Sequence, residues 1–101
     1  MGVVGMSKTL AREVGKDNIL INVIGPGRIG TARIESLNKM RADKAGISVS
    51  DYEKEDLKKF PMARYGTIDE YGRLATWLCS EANTYVSGQT ILLDGAMTTA
   101  Y

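Results

Sequence analysis

The most constraining feature of the sequence is the stretch from Ile19 to Thr31, an apolar run followed by a proline-glycine turn. Residues 19–24 are β-branched or aliphatic apart from Asn22, which is typical of a strand buried on both faces, as in a parallel sheet. The segment Gly25-Pro26-Gly27 is expected to end the strand, because proline donates no hydrogen bond and glycine leaves the backbone unrestrained. The sequence therefore predicts a strand over 19–24 and a tight loop after it.

Two predicted helices flank this strand. Apolar residues recur at helical spacing over 3–14, and Gly15 is expected to end that helix in a left-handed conformation. After Thr31, apolar residues recur at every third position, at Ile34, Leu37 and Met40. This spacing predicts a second helix to about Ala45, ended by Gly46.

A third helix is predicted from a capping-box pattern. Ser50 is followed three residues later by Glu53, and the helix is expected to continue to Phe60 until Pro61 stops it. The second and third helices together form a predicted helical insertion over 32–60, between two strands.

The last third of the chain predicts one more helix and one more strand. Thr67 and Glu70 repeat the capping box. The apolar face expected of this helix consists of Tyr71, Leu74, Ala75 and Leu78. A short apolar strand is predicted over 90–93 and is closed by Asp94-Gly95.

Two strands are too few to make a sheet that stands alone. Strands joined by helices are expected to pair in parallel through a right-handed crossover. A sheet of two strands buries little apolar surface and leaves the outer edge of the 19–24 strand open. The chain is therefore expected to dock on other protein.

Composition excludes several classes of function. The 101 residues include 13 Lys or Arg and 12 Asp or Glu, and a net charge of +1 indicates neither nucleic acid nor an anionic membrane as partner. Cys79 is the single cysteine and histidine is absent, so neither an internal disulfide nor a metal cluster is expected. No apolar run approaches the roughly 20 residues that span a bilayer. A soluble, cytoplasmic protein is predicted.

Several segments together resemble one protein family. They are GVVGMSKTLA at 2–11, INV at 21–23, PGRIGT at 26–31, RYGT at 64–67 and YVSGQT at 85–90. In this order and spacing they resemble the C-terminal part of the short-chain dehydrogenase/reductase family, more closely its 3-oxoacyl-acyl-carrier-protein reductase-like members. The resemblance implies an α/β fold, a C-terminal fragment of a Rossmann-like doubly wound parallel sheet with two strands and flanking helices. Residues 1–101 then form a single partial domain, with the insertion as substrate lid.

The resemblance also implies a cofactor and the residues that contact it. In the family, the loop after this strand embraces the nicotinamide of NAD or NADP. Carried over by position, Pro26 and Gly27 shape the pocket of the ring and the backbone of Ile29 meets the carboxamide. Thr31 is then placed to hydrogen-bond near the carboxamide or the pyrophosphate.

The same resemblance implies that the chain is inactive alone. The family's glycine-rich phosphate turn, its catalytic Ser and its Tyr-x-x-x-Lys all precede the matching part, and none of the five tyrosines is followed by Lys four residues later. No catalytic residue and no metal ligand is therefore assigned. Without the glycine-rich turn, NAD or NADP is expected to bind weakly or not at all. The implied reaction is NAD(P)-dependent carbonyl reduction or alcohol oxidation, on an acyl thioester or a small carbonyl compound.

Other interpretations of the same residues remain open. Thr31 can simply cap the following helix, Asn22 can be a structural hydrogen-bonding residue, and Cys79 can be a small packed side chain. The chain can also be a non-enzymatic module that pairs with itself or with a complementary family subunit through the 3–14 helix and the 90–93 strand. A third possibility is an unrelated α/β binding domain.

Overall fold

The computed structural model describes residues 2–99, which form four α-helices and two short strands. In chain order these are α1 (Gly2–Val14), β1 (Val23–Pro26), α2 (Ala32–Ala45), α3 (Val49–Leu57), α4 (Ile68–Leu78) and β2 (Thr90–Leu93). The strands pair in parallel, with Val23 opposite Thr90 and Pro26 opposite Leu93. The predicted α/β class and the parallel pairing are confirmed.

The first strand lies further along the chain than predicted. Residues 19–22 are not in the strand: the Ile19 amide donates to Val14 O, while Ile21 donates to Ser87 Oγ and accepts from the Gly88 amide in the loop before β2. β1 then continues through Gly25 and Pro26, where the sequence predicted a break.

Strand geometry explains why proline does not break β1. The Val23 amide donates to Gln89 O at 2.9 Å and the Gly27 amide donates to Leu93 O at 2.8 Å. Because amide directions alternate along a strand, the nitrogen of Pro26 faces away from β2, toward an edge that has no partner strand among residues 2–99. β1 is at most half-buried along its length, and Pro26 is exposed, so the prediction that both of its faces are buried was wrong.

Two helices agree with their predicted signals. Thr31 caps α2 by accepting from the Ile34 amide, and Gly46 ends that helix with a φ of 69°. Thr67 and Glu70 form the complete capping box at the start of α4. The predicted apolar face of α4 is turned inward, with Leu78 buried and its other members half-buried.

Three local predictions were wrong. Asn18, with a φ of 60°, takes the left-handed position expected of Gly15, because a 3₁₀ turn over Gly15–Asp17 extends α1. The cap of α3 is Ser48, whose hydroxyl accepts from Asp51 N, so the helix starts before Ser50 and ends at Leu57. Cys79 is exposed at the end of α4 rather than packed.

The described residues enclose only a small apolar core. Its buried apolar members are Ala11, Ala42, Phe60 and Leu78. The radius of gyration is 17.2 Å, whereas a closed domain of this length has a radius of about 13 Å. One side of α1 also exposes Val3, Met6 and Leu10. Several large apolar side chains of the described residues are thus left uncovered.

The close approach of Gly27 to β2 gives a first prediction. A Cβ at Gly27 would lie 2.8 Å from Asp94 Cβ and 2.9 Å from Asp94 Cα, so the end of the strand pair has no room for a side chain. We expect Gly27→Ala to lower the free energy of unfolding by about 1–3 kcal/mol, measured by urea denaturation.

Gly72→Ala is the matched control, because a Cβ at this position of α4 meets no atom within 4 Å. It should raise the stability by about 0.5–1 kcal/mol through helix propensity. Equal effects of the two substitutions would contradict the tight contact at Gly27.

Candidate functional site

The loop from Gly27 to Thr31 is held by backbone hydrogen bonds on one side. Gly27 N donates to Leu93 O, which extends the β1–β2 pairing past the end of β1. The Gly66 amide then donates to Arg28 O, and the Gly30 amide donates to Gly66 O, both at 2.8 Å. These bonds fix the loop in a defined, strand-like conformation at the carboxyl end of the sheet.

The backbone of Ile29 is left free on the other side of this loop. Ile29 pairs with Gly66 as a parallel bridge, but the hydrogen bonds of that bridge use Arg28 O and Gly30 N. Because backbone groups alternate in direction, the amide and carbonyl of Ile29 face away from Gly66. Neither has a hydrogen-bond partner within residues 2–99. A preformed donor and acceptor pair is thus presented on a rigid segment.

The other predicted cofactor-binding residues lie on the same loop. Pro26 ends β1, and Gly27 lies against Asp94. Thr31 Oγ1 accepts from the Ile34 amide at 3.4 Å, so its interpretation as a helix cap is confirmed. That bond uses an acceptor site of the hydroxyl and leaves its proton free to donate. The loop therefore brings Pro26, Gly27, Ile29 and Thr31 together, and their contacts with a cofactor stay a prediction.

A charged cluster, not predicted from the sequence, joins this loop to the helical insertion. Arg28 Nη1 lies 2.7 Å from Asp56 Oδ2 of α3. The Tyr65 hydroxyl donates to the same oxygen at 2.9 Å and accepts from Asn38 Nδ2 of α2 at 3.0 Å. We call Arg28, Asp56, Tyr65 and Asn38 the lid cluster. Asp56 and Asn38 are both buried.

Tyr65 is a poor candidate for the proton donor of a carbonyl reduction. Burial, together with the hydrogen bond that its hydroxyl donates to Asp56, raises the pKa of the phenol above its ordinary value. The acid in a carbonyl reduction needs a pKa lowered toward neutral, usually by a nearby cation. Tyr65 is perturbed in the opposite direction.

A cavity of about 280 Å³ is lined by Arg28 of the loop, but by none of the four predicted cofactor residues. Its apolar lining includes Phe60, Met62 and Leu93. Its charged lining includes Arg28, Arg64, Glu70 and Asp94.

Two of these carboxylates are strongly hydrogen-bonded. Arg64 forms a bidentate pair with Glu70, at 2.8 Å and 2.9 Å, and this pair with the capping box lowers the pKa of Glu70 to about 2. Hydrogen bonds from Thr98 lower the pKa of Asp94. The lining of the cavity thus includes two carboxylates that are stabilised in the ionised form.

The described part of the chain offers no metal site. Nowhere in residues 2–99 do three or more His, Cys, Asp or Glu side chains cluster in a way that could hold an ion. None of the helices described has both the length and the apolar character needed to cross a bilayer.

Comparison with known sequences gives consistent matches along the chain. Residues 1–98 match the family model described as enoyl-(acyl carrier protein) reductase. The 3-oxoacyl-acyl-carrier-protein reductase FabG of Chlamydia trachomatis is 36% identical over 96 residues, which cover 95% of this chain and 34% of that protein. The chain therefore spans about a third of the length of the curated relatives it matches.

Solved structures show the same fold over nearly the whole chain. A short chain dehydrogenase family protein from Francisella tularensis superposes with a TM-score of 0.90 at 29% identity, covering 98% of this chain and 41% of that one. The L-sorbose reductase of Gluconobacter frateurii, solved with NADPH and L-sorbose, gives a TM-score of 0.89 at 33% identity, over 99% of this chain and 38% of that one.

The surroundings of Tyr65 predict how its phenol titrates. Since burial and Asp56 both favour the neutral form, the pKa should lie above the ordinary value of 10.0. The pKa of Tyr65 is obtained by titrating the ultraviolet absorbance with pH in the wild type and in Tyr65→Phe and taking the difference between the two curves. Tyr85→Phe, at a residue that is 96% exposed, serves as control. A value below 10.0 for Tyr65 would restore it as a candidate acid.

The Arg64–Glu70 pair predicts a pH dependence of stability. The pKa of Glu70 is lowered from 4.5 to about 2, so its contribution is complete above pH 4.5 and is lost as the pH falls toward 2. Glu70→Gln should lower the urea midpoint near neutral pH and flatten its fall between pH 4.5 and 2.

Glu81→Gln is the matched control for this titration, because Glu81 is exposed and makes no ion pair within residues 2–99. It should leave the acid dependence of the urea midpoint unchanged. An equally steep fall in Glu70→Gln and in the wild type would refute the assignment.

Proposed function

The chain belongs to the short-chain dehydrogenase/reductase family, as a fragment of a 3-oxoacyl-acyl-carrier-protein reductase-like member, and on that premise we propose that it supplies the nicotinamide half of an NAD(P) site. The observation that carries this proposal is the free amide and carbonyl of Ile29. A carboxamide has one acceptor oxygen and one NH₂ donor, which is the complement of one peptide N–H and C=O. A bound NAD(P) would transfer hydride to or from the substrate carbon.

The proposed roles of the loop residues follow from this arrangement. Ile29 would receive the carboxamide through its backbone, and Pro26 and Gly27 would border the ring. The free hydroxyl proton of Thr31 could be donated to the carboxamide or to a phosphate oxygen. Support for a dinucleotide comes from relatives whose structures are described with NADPH, including the L-sorbose reductase.

We further propose that the chain does not turn over substrate on its own. Reduction of a carbonyl requires a proton donor for the developing alkoxide. Among the described residues, Tyr65 is unsuited to that role, because its hydroxyl already donates to Asp56 and its pKa is raised. NAD(P) binding by the chain alone is correspondingly proposed to be weak.

The insertion over 32–60 is proposed as the substrate lid. Its helix α2 exposes Met40, and Lys39, Arg41 and Lys44 are exposed with it. This combination of apolar and cationic side chains suits an acyl thioester on an anionic carrier, and a small carbonyl compound is the simpler alternative. The name of the Chlamydia relative, a 3-oxoacyl-acyl-carrier-protein reductase, supports the first.

The partner is proposed to be a second copy or a complementary family subunit, in the cytoplasm. The open edge of β1 and the exposed apolar side of α1 are the surfaces that such a partner would cover. The same surfaces support a second candidate function, a non-enzymatic interaction module. In sedimentation velocity, a well-folded monomer would count against both the proposed partner and the interaction module.

Half-cofactors provide the sharpest test of the nicotinamide site. Nicotinamide mononucleotide contains the part of NAD that this chain is proposed to hold, and adenosine monophosphate contains the part for which we propose no site. We expect saturation-transfer NMR to show millimolar binding of nicotinamide mononucleotide and none of adenosine monophosphate. Thr31→Val should weaken that binding several-fold.

Thr76→Val is the control for Thr31→Val, because it makes the same chemical change at an exposed residue of α4. It should leave nicotinamide mononucleotide binding unchanged. Equal binding of the two half-cofactors to the wild type, or no binding of either, would count against the proposed site. Turnover of NADPH with a 3-oxoacyl thioester above a blank would contradict the proposed inactivity.

A further inference from the structure

The lid cluster offers a connection between the insertion and the loop that carries Ile29. α2 and α3 pack chiefly against each other rather than against the sheet. Arg28, the residue before Ile29, reaches across to α3 and pairs with Asp56 at 2.7 Å. This pair therefore bridges two parts of the molecule that otherwise have few contacts.

We propose that Arg28 is a positioning residue that latches the lid to the nicotinamide loop through Asp56. The proposal rests on the proposed function in one respect, namely that the Ile29 loop is where nicotinamide binds. The rest of the proposal concerns structure alone: the side chain of Arg28 holds α3, and the backbone carbonyl of Arg28 holds the loop.

Burial makes this ion pair different from the others in the structure. The side chain of Asp56 is only 4% exposed and that of Arg28 is 33% exposed. A buried carboxylate that loses its cation keeps the full desolvation cost, so α3 is strongly disfavoured in this position without Arg28. The pairs Lys58–Glu55, Arg64–Glu70 and Arg73–Asp69 are more exposed and join residues close in sequence.

Aromatic contacts and backbone bonds complete the latch. The guanidinium carbon of Arg28 lies 5.7 Å from the centre of the Phe60 ring, within cation–π range. The rings of Phe60 and Tyr65 pack edge to face, with 5.4 Å between their centres. The Tyr65 hydroxyl in turn donates a hydrogen bond to Asp56. The carbonyl of Arg28 accepts from the Gly66 amide. A displacement of α3 would therefore disturb the contacts of Arg28, the residue next to Ile29.

Asn38 extends the cluster from α3 to α2. Its side-chain amide, 1% exposed, donates to the Tyr65 hydroxyl and lies 3.5 Å from Glu53 Oε1. Both lid helices are thus connected, through Tyr65 and Asp56, to a single guanidinium. One substitution at Arg28 should release them together.

Hydrogen exchange of the whole chain tests the latch without any cofactor. In Arg28→Gln, the amides of α2 and α3 should exchange at least about tenfold faster than in the wild type, while those of α4 keep their rates. Asp56→Asn should reproduce the effect, and the double variant should add little to either single one, because the two residues act as a pair. Arg28→Lys should restore part of the protection.

Arg73→Gln is the matched control, since it removes an exposed ion pair within α4 and should leave α2 and α3 unchanged. The latch is overturned if Arg28→Gln leaves exchange in α3 unaltered. It is also overturned if that variant accelerates α4 as much as α3, which would mean general loss of structure, or if the two substitutions are fully additive.

Nicotinamide mononucleotide separates this proposal from the site on which it rests. If the mononucleotide binds, it should slow exchange in α3 of the wild type and have no such effect in Arg28→Gln. Binding without protection of α3 in the wild type overturns the coupling. Absence of binding refutes the proposed site, and the exchange rates without ligand then decide the latch alone.

Discussion

The parallel pairing of β1 with β2 is the constraint on which the rest of the structure depends. It places the end of β1 beside Leu93 and Asp94, and the Gly27 amide carries the pairing one residue past the strand. The loop that follows is then held by Gly66, which forms backbone hydrogen bonds with Arg28 and Gly30. Without the first pairing, the loop would have no fixed starting point at the sheet.

Two sides of one short segment thereby acquire different contacts. The bonds to Gly66 use the carbonyl of Arg28 and the amide of Gly30, so that the peptide groups of Ile29 point the other way. The side chain of Arg28 meanwhile turns toward α3 and Asp56. Alternation along an extended backbone is enough to produce this division, and it needs no unusual residue.

Much of the fold is predictable from local signals in the sequence. The Thr67 and Glu70 box and the position of Gly46 each involve residues close in sequence, and both are correct in the structure. Some errors are also local, such as the choice of Gly15 over Asn18 and of Ser50 over Ser48, but the error at the end of β1 arises because a distant segment decides the outcome. Pro26 belongs to β1 because its nitrogen faces an open edge, and this depends on which side β2 occupies.

The candidate site shows the same division. The four loop residues are predicted because they lie within the segment PGRIGT at 26–31, which resembles a family motif. Asp56 was missed because it stands in a run of charged residues, Glu53 to Lys59, where nothing local distinguishes a buried carboxylate from a solvated one. Asp56 gets its environment from Arg28, which is 28 residues away, and from the hydroxyl of Tyr65.

The side-chain amide of Asn22 has a consequence for the alignment of the two strands. It donates to Val86 O at 2.8 Å and accepts from the Gln89 amide at 3.1 Å, as a further rung of the ladder would. Four residues on each side would slide easily if main-chain bonds alone set their register, and a shift by one would turn Ile91 to the opposite face. The amide can make both of these bonds in only one alignment. One polar side chain therefore helps to lock the register of the two strands.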